Sequence, residues 1–217
     1  MINLLIKELK ISTFILSYIF ILFGLMFLIP GYPILCGTFF VTLGIFRSFE
    51  YLRENNDILF STLLPIRKID IVKGKFIITS LIELCSFSLM FICSLLRMTV
   101  LKDLEIYEIN ALMNANFFAL MMALVIFSTF NFFFVAMFFK TGYKVAWPFI
   151  IYIIISFLLI IFSEFIHYIP GCEIINSSGF NNIYFQSILL AIGVIIYLIV
   201  TILSYKLASK RFLNVDL

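Results

Sequence analysis

The chain has 217 residues, of which 64% are hydrophobic and 12% charged, and its formal net charge is +3. Its mean hydropathy of +1.18 predicts a protein that is largely embedded in a bilayer. The small net charge gives no sign of a nucleic-acid partner, since such proteins carry a strongly basic patch. The length leaves room for one polytopic membrane domain, residues 1–217, and no separate soluble domain.

Six apolar runs are each long enough to cross a bilayer, because a hydrocarbon core about 30 Å thick needs roughly 20 apolar residues in a helix. The runs are too continuously apolar for the strands of a membrane barrel, in which lipid-facing and lumen-facing residues alternate. The predicted spans are residues 11–29, 32–49, 76–96, 111–139, 145–166 and 187–207. The sequence therefore predicts an all-α fold with six transmembrane helices.

The first residues carry a pattern of their own. Residues 2–10 place Ile2, Leu5, Ile6 and Leu9 on one face of a helix, with the charged side chains elsewhere. This pattern is typical of a short helix that lies in the membrane interface. An ordinary start to the first span would also account for it.

The positive charges are distributed unequally between the two sides of these spans. Apart from Arg97 and Lys102, every Lys and Arg lies before the first span, in or next to the connections between the second and third and between the fourth and fifth spans, or at and after the end of the sixth. Because Lys and Arg are enriched in cytoplasmic loops, we predict that both termini are cytoplasmic.

Residues 50–75 form a charged segment in this otherwise apolar chain. Acidic and basic residues alternate there, and the pairs Arg47–Glu50 and Arg53–Asp57 have the spacing at which side chains meet on a helix. The helix is expected to end before Pro65, because proline disfavours a helical conformation of the preceding residue, and a second helix is expected from Ile66. Membrane topology alone would require no acidic residues here. We therefore interpret the segment as a docking element for a soluble partner.

Catalytic motifs are not found in the sequence. The pair Gly74-Lys75 lacks the other residues of a phosphate-binding loop, so any ATP hydrolysis is expected on another polypeptide. Glu164 and His167 lie one turn apart, but His167 is the only histidine, and the sequence has no nucleophile elbow. We predict an interfacial pair at this place, no enzyme activity, and no metal or cofactor bound by this chain.

Four polar residues within the predicted spans are candidates for a translocation path. Glu83 is the most deeply placed charge, and ionisable groups at such depth face a bundle interior, a cavity or a partner. Asn114, Asn116 and Asn131 belong to the predicted fourth span. These amides either form hydrogen bonds between helices or line the path.

The charged segment resembles the signature between the second and third spans of ABC transporter type-2 permeases. The matching residues are Glu50, Glu54, the run Ser61-Thr62-Leu63-Leu64-Pro65-Ile66-Arg67, then Ile71, Val72 and Lys75. The chain departs from the family by having Ser-Thr-Leu-Leu-Pro in place of Ser-Leu-Pro, which shifts the register of the serine relative to the proline. The predicted topology, six spans with both termini inside, is also similar to that of this family.

The resemblance implies the permease subunit of an ATP-driven exporter in a bacterial cytoplasmic membrane. Two permeases, identical or related, would pair within the lipid, and each would receive a separate ATPase that binds ATP and Mg²⁺. Residues 50–75 would contain the coupling helix. The residues that would couple to the ATPase are Glu50, Arg53, Glu54, Asp57, Pro65, Arg67, Lys68 and Lys75. The cargo would be amphipathic or hydrophobic, such as a peptide, a drug or a lipid-like molecule.

Two other classes of function stay open at this point. A substrate-binding membrane subunit of a vitamin importer would need convergent polar ligands in the outer halves of several spans. An immunity or assembly protein of the membrane would neither transport nor bind an ATPase. The possible pairing of Cys36 with Cys172, both near the predicted outer surface, is likewise not decided by their spacing.

Overall fold

The structure is a computed structural model that describes residues 2–108 and 112–215. Over these residues it is all-α and contains no strand. Nine helices are numbered here in chain order. Two of them have π-helical continuations and two have 3-10 continuations, the second being Ile166–Tyr168 after the eighth helix, and a separate short 3-10 helix covers Glu173–Asn176. The nine helices are α1 (Ile2–Lys7, continued by the π-helical Glu8–Ser12), α2 (Ile15–Ile19, continued by the 3-10 helix Phe20–Leu28), α3 (Cys36–Glu54), α4 (Asp57–Leu63), α5 (Lys68–Thr99), α6 (Glu105–Glu108), α7 (Phe117–Thr129, continued by the π-helical Phe130–Val135 and by Ala136–Phe138), α8 (Ala146–Phe165) and α9 (Ile183–Leu213).

Among the described residues, four helices are long and apolar enough to cross a membrane. They are Lys68–Thr99, Phe117–Phe138, Ala146–Tyr168 and Ile183–Leu213. The pair Asn3–Ser12 and Ile15–Leu28 adds a fifth candidate if its two parts are counted as one bent span. The all-α membrane fold is thus confirmed, whereas six spans stay a prediction.

The N-terminal helix turns away from α2 by 93°. At the turn, Thr13 is extended, and its hydroxyl donates to the carbonyl oxygen of Glu8 at 2.8 Å. The α1 segment buries Glu8 against the protein and leaves Ile6 exposed. Of the apolar face expected from the sequence, Leu5 and Leu9 pack against the core, while Ile6 stays exposed because α1 also turns Glu8 toward its ionic partners.

Helices α2 and α3 form a tight hairpin. Helix α2 begins at Ile15, four residues after the predicted start of the first span. Together with its 3-10 part it is about 26 Å long, which is close to the thickness of a bilayer core. A Cβ atom on Gly37 would lie 2.6 Å from the carbonyl oxygen of Phe23. Only glycine therefore permits this approach of the two backbones.

The predicted fourth span was too long. Helix α7 begins at Phe117, where the side chain of Asn116 caps it by accepting from the backbone N–H of Ala119 at 3.1 Å. Residues 112–116 are irregular, and residue 111, the predicted start, lies outside the described residues. The span Phe117–Phe138 has 22 residues, about 33 Å at helical rise, and needs no unusual tilt to fit a bilayer.

Candidate functional site

The charged segment contains three helical parts, the end of α3, all of α4 and the start of α5, separated by two sharp breaks. Helix α3 continues through Glu54, and Asn56 then adopts a left-handed conformation with φ of 50°, which asparagine tolerates better than most residues. The sequence analysis did not predict this break. Because the helix is interrupted between Arg53 and Asp57, these two side chains do not form the predicted pair. The predicted break before Pro65 is confirmed by the extended Leu64, although α5 begins at Lys68 and not at Ile66.

Four charged side chains from α1, α4 and α5 meet beneath this segment in an ion cluster, defined as Lys7, Glu8, Asp57 and Lys75. The ammonium group of Lys75 donates to Oε2 of Glu8 and lies 3.1 Å from Oδ2 of Asp57. The second ammonium group, that of Lys7, lies 2.5 Å from Oδ1 of Asp57 and 3.4 Å from Oε1 of Glu8. Two positive and two negative charges therefore compensate one another.

Burial makes this ion cluster important for the fold. The side chains of Lys75 and Glu8 are only 4% and 1% exposed. Burial alone would raise the pKa of Asp57, but Lys75 and Lys7 together bring that pKa below its usual value. The carboxylate thus stays ionised and joins α4 to the two neighbouring helices.

The remaining predicted coupling residues lie at or near the surface. Arg53, Glu54, Pro65 and Arg67 are exposed, Glu50 is half-buried beside Arg47, and Lys68 donates to the carbonyl oxygen of Val215 at 2.7 Å. The structure thus separates the eight residues into an exposed group and a buried pair, Asp57 and Lys75.

Helix α4 also presents an apolar surface that the sequence analysis did not single out. Its inner side buries Ile58 and Ser61, while Leu59, Phe60 and Leu63 are exposed, the last of them by 78%. We call these three side chains the α4 apolar face. The signal was present in the sequence, as apolar residues on both sides of a short helix.

A second group of polar residues lies in the middle of the helical bundle. The carboxyl oxygen Oε2 of Glu83 accepts from Asn131 Nδ2 at 3.0 Å and from the hydroxyl of Tyr197 at 2.7 Å. The same Nδ2 lies 3.2 Å from the hydroxyl of Thr201. We call these four residues the Glu83 cluster. The cluster brings together two predicted path residues, Glu83 and Asn131, with Tyr197 and Thr201. The last two were not predicted from the sequence, because they lie more than a hundred residues from Glu83.

The Glu83 cluster is sealed and incompletely bonded. Glu83 is fully buried, and its Oε1 and the Oδ1 of Asn131 have no hydrogen-bond partner among the described residues. Asn131 belongs to the π-helical part of α7, a local irregularity that is frequent at functional sites. Buried polar atoms without partners are rare in folded proteins, so each of them calls for an explanation such as a functional role.

The other two predicted path residues lie in the loop before α7 and not in a helix that could span the membrane. Asn114 donates from its backbone N–H to Oδ1 of Asn176 at 2.7 Å, and from its side chain to the carbonyl oxygen of Asn176 at 2.9 Å. The side chain of Asn116 donates to the carbonyl oxygen of Ile175 at 2.9 Å. These two asparagines tie the loop before α7 to the loop before α9.

Near the C-terminal end of α8, Oε2 of Glu164 accepts from the backbone N–H of Met113 at 3.0 Å. Cys36 and Cys172 are both free thiols. In the part of the chain that the structure describes, no group of three or more His, Cys, Asp or Glu residues is placed to hold a metal ion.

Long apolar helices with buried polar clusters between them define a polytopic helical membrane protein. The family model described as ABC-2 family transporter protein matches residues 3–212, so the chain belongs to this family. It is therefore a membrane protein of the ABC transporter permease type, as its resemblance implied. No curated protein and no solved structure matches the chain.

Proposed function

We propose that this chain is the permease subunit of an ATP-driven exporter in a bacterial cytoplasmic membrane, and that an ABC ATPase docks on residues 50–75. The observation that carries the proposal is the α4 apolar face, three exposed apolar side chains next to the charged Arg53 and Glu54. Clustered exposed apolar side chains mark surfaces that a partner covers. The family supplies the identity of that partner, since its permeases in general work with an ABC ATPase.

The ion cluster supports a route by which the ATPase would move the membrane helices. A displacement of α4 would be transferred to α1 and α5, because Asp57 is held by Lys7 and Lys75 on its buried side. In this proposal Asp57 and Lys75 act inside the permease, and Glu50, Arg53, Glu54, Pro65 and Arg67 contact the ATPase. ATP and Mg²⁺ would be bound by the ATPase, whose dimerisation would push paired coupling segments together and tilt the helices.

The proposed topology has six spans, α2, α3, α5, α7, α8 and α9, with both termini inside. It is supported by the length of α2 and by the hairpin that α2 forms with α3. Helix α3 as a whole is not apolar enough to cross a membrane, because Arg47, Glu50 and Arg53 lie in its second half. These residues belong to the part of α3 that would project into the cytoplasm.

The proposed translocation path combines the Glu83 cluster with an apolar groove between α5 and α9. The groove has a volume of about 570 Å³ and is lined by Phe76, Leu81, Ile202 and Thr201, among others. Thr201 also accepts from Asn131, so the groove and the polar cluster are one hydrogen bond apart. Such a surface suits an amphipathic cargo. Asn114 and Asn116 would lie near the outer exit of the path.

A second permease, identical or related, would complete the transporter within the lipid. Most residues in the apolar stretch of helix α9 are exposed on the surface of the protein, and this surface would contact lipid or the second permease.

The experiment that tests the docking surface is co-purification in a mild detergent from the native membrane. Leu63→Asp combined with Glu54→Lys should release the ATPase, because both side chains are exposed and their loss leaves the ion cluster intact. Lys144→Glu, an exposed change in another predicted inner loop, is the matched control and should retain the ATPase. Full retention by the double variant would refute the proposal, and so would the absence of any ATPase from the wild-type preparation.

A further inference from the structure

The outer end of the molecule contains an open cavity lined in part by Asn114 and Asn116, and the charged residues of its lining have no role in the proposed transport function. It has a volume of about 860 Å³ and lies between the end of α5 and the loops before α7 and α9. We call it the outer cup. Most of its lining is polar, and the side chains that matter here are Arg97, Lys102, Asn176, Asn182 and Glu173.

Arg97 is the unusual residue of the outer cup. Its side chain is only 6% exposed, yet none of the carboxylates that the structure describes pairs with it. Its Nη1 donates to the carbonyl oxygen of Phe27 at 3.2 Å, and its guanidinium lies 4.5 Å from the ring centroid of Tyr107. A buried charge without a counter-charge is strongly unfavourable, so this position favours an anion as an additional partner.

The contacts to α2 explain only part of what Arg97 can bind. A guanidinium has five N–H donors in a planar fork, and the described structure uses one of them in a hydrogen bond. Arg97 is one of the residues that line the cup, so a ligand in the cup lies within reach of its side chain. A planar pair of donors is the geometry that binds carboxylate and phosphate oxygens in bidentate fashion.

The rest of the cup extends this site. Lys102 lines the same cavity and is held only weakly by Asp103, at 4.0 Å. Its aliphatic part passes below Gly179, where an added Cβ would lie 3.8 Å from its Cδ. Asn176 and Asn182 contribute amide groups to the lining, and Glu173 is its acidic side chain. The lining of the cup therefore contains two positive charges and one negative charge, and Asp103, which is not part of the lining, is 83% exposed to solvent.

The position of the cup in the chain indicates where the anion comes from. Arg97 lies in the last turn of α5, at the end opposite to the coupling segment. Apolar side chains around the cup are exposed, among them Leu104, Ile174 and Phe180. A cationic site with an apolar rim at the end of a membrane helix lies at the depth of lipid headgroups.

We propose that the outer cup is a binding site for a phosphate oxyanion, held by Arg97 and Lys102. The phosphate is carried by a phospholipid headgroup of the outer leaflet or is free in solution, and the experiment below separates the two sources. The assignment to the outer side rests on the proposed topology. The site itself does not depend on the ATPase or on transport.

The test is thermal unfolding of the purified full-length chain in detergent, with three additives compared at constant ionic strength. These are a short-chain phosphatidylglycerol, the diacylglycerol with the same chains and no phosphate, and inorganic phosphate. Phosphatidylglycerol should stabilise the wild type saturably, and diacylglycerol should not. Arg97→Gln should weaken the apparent affinity about tenfold, the loss expected for a charged hydrogen-bonded pair.

Two exposed residues make the test independent of folding defects in Arg97→Gln. Lys102→Gln should weaken binding, whereas Glu173→Gln should strengthen it, because it removes a negative charge from the cup. Lys144→Gln, at the other end of the molecule, is the matched control and should bind as the wild type does. A merely structural role of these residues would not give opposite signs.

The outcomes are distinct. A response to phosphatidylglycerol alone assigns the site to a lipid headgroup, and an equal Arg97-dependent response to inorganic phosphate assigns it to a free solute. Equal stabilisation by phosphatidylglycerol and diacylglycerol would overturn the proposal. The same holds if the Lys102 and Glu173 variants bind phosphate as the wild type does. Because no ATPase is present, these results are independent of the docking experiment.

Discussion

Replacing Lys75 by methionine is the sharpest test of the ion cluster. Lys75 is buried and contacts carboxylates from two other helices, Glu8 in the continuation of α1 and Asp57 in α4. Methionine preserves much of the apolar volume of lysine and removes its charge. Glu8 is then left with Lys7 at 3.4 Å as its ionic partner among the described residues.

The expected loss follows from the burial of these groups. Removing one partner of a buried ion pair destabilises a protein by about 3–5 kcal/mol. Because Lys7 still compensates part of the negative charge, we expect the lower end, about 3 kcal/mol. In a chain of this length, that corresponds to a fall of roughly 6–12 °C in the unfolding temperature.

A thiol-reactive dye gives a suitable assay once the exposed Cys85 and the half-buried Cys36 and Cys172 are replaced by serine in every variant, since Cys93 is buried in the core and becomes reactive when the helices separate. Lys73→Met is the matched control, because Lys73 is exposed two residues earlier on the same helix. The double variant Lys75→Met/Glu8→Gln should recover part of the loss by removing the charge left uncompensated. The reasoning is refuted if Lys75→Met unfolds at the same temperature as Lys73→Met, or if Glu8→Gln adds a further loss.

Three further predictions concern pH, the Glu83 cluster and the α2–α3 hairpin. The folded-state pKa of Asp57 is below its ordinary value of 3.8. The stabilisation that ionised Asp57 contributes is therefore present above that pH and is lost as the pH falls through the lower folded-state pKa. The difference in unfolding temperature between the wild type and Asp57→Asn should accordingly shrink between pH 6 and pH 3. Glu83→Gln should change cargo export more than assembly with the ATPase, since the amide keeps an oxygen for Tyr197; normal export with unchanged assembly would make Glu83 structural. Gly37→Ala should destabilise by about 1–3 kcal/mol, because its Cβ would meet a backbone oxygen, whereas Gly74→Ala, whose Cβ would have ordinary contacts from 3.5 Å, should be neutral or stabilising in the same thermal assay.

Most of the helical architecture could be predicted from local sequence. The apolar runs lie within or close to the observed helices, and the break before Pro65 follows from the restriction that proline places on Leu64. The errors are at helix ends. Helix α2 begins at Ile15 and α7 at Phe117, because hydrogen bonds of Thr13 and Asn116 determine where these helices start. The apolar composition of a segment gives no information about such bonds.

The candidate sites were less predictable, since they depend on contacts between distant parts of the chain. The sequence identified residues 50–75 and Glu83, but it could not place the individual side chains. Asp57 was expected at the surface with Arg53 and is instead buried with Lys75, because the left-handed Asn56 reorients α4.

What the sequence by itself determined is the class of protein: an apolar, all-α chain with one charged segment whose pattern resembles that of its family. These properties depend on composition and short-range periodicity, which the folded state does not alter. Only the tertiary structure decided which charges are buried together, how Glu83 meets Asn131 and Tyr197, and that Arg97 lacks a carboxylate partner among the described residues. The physical reason is that the electrostatic environment of a side chain is set by neighbours in space, and these come from helices far apart in the chain.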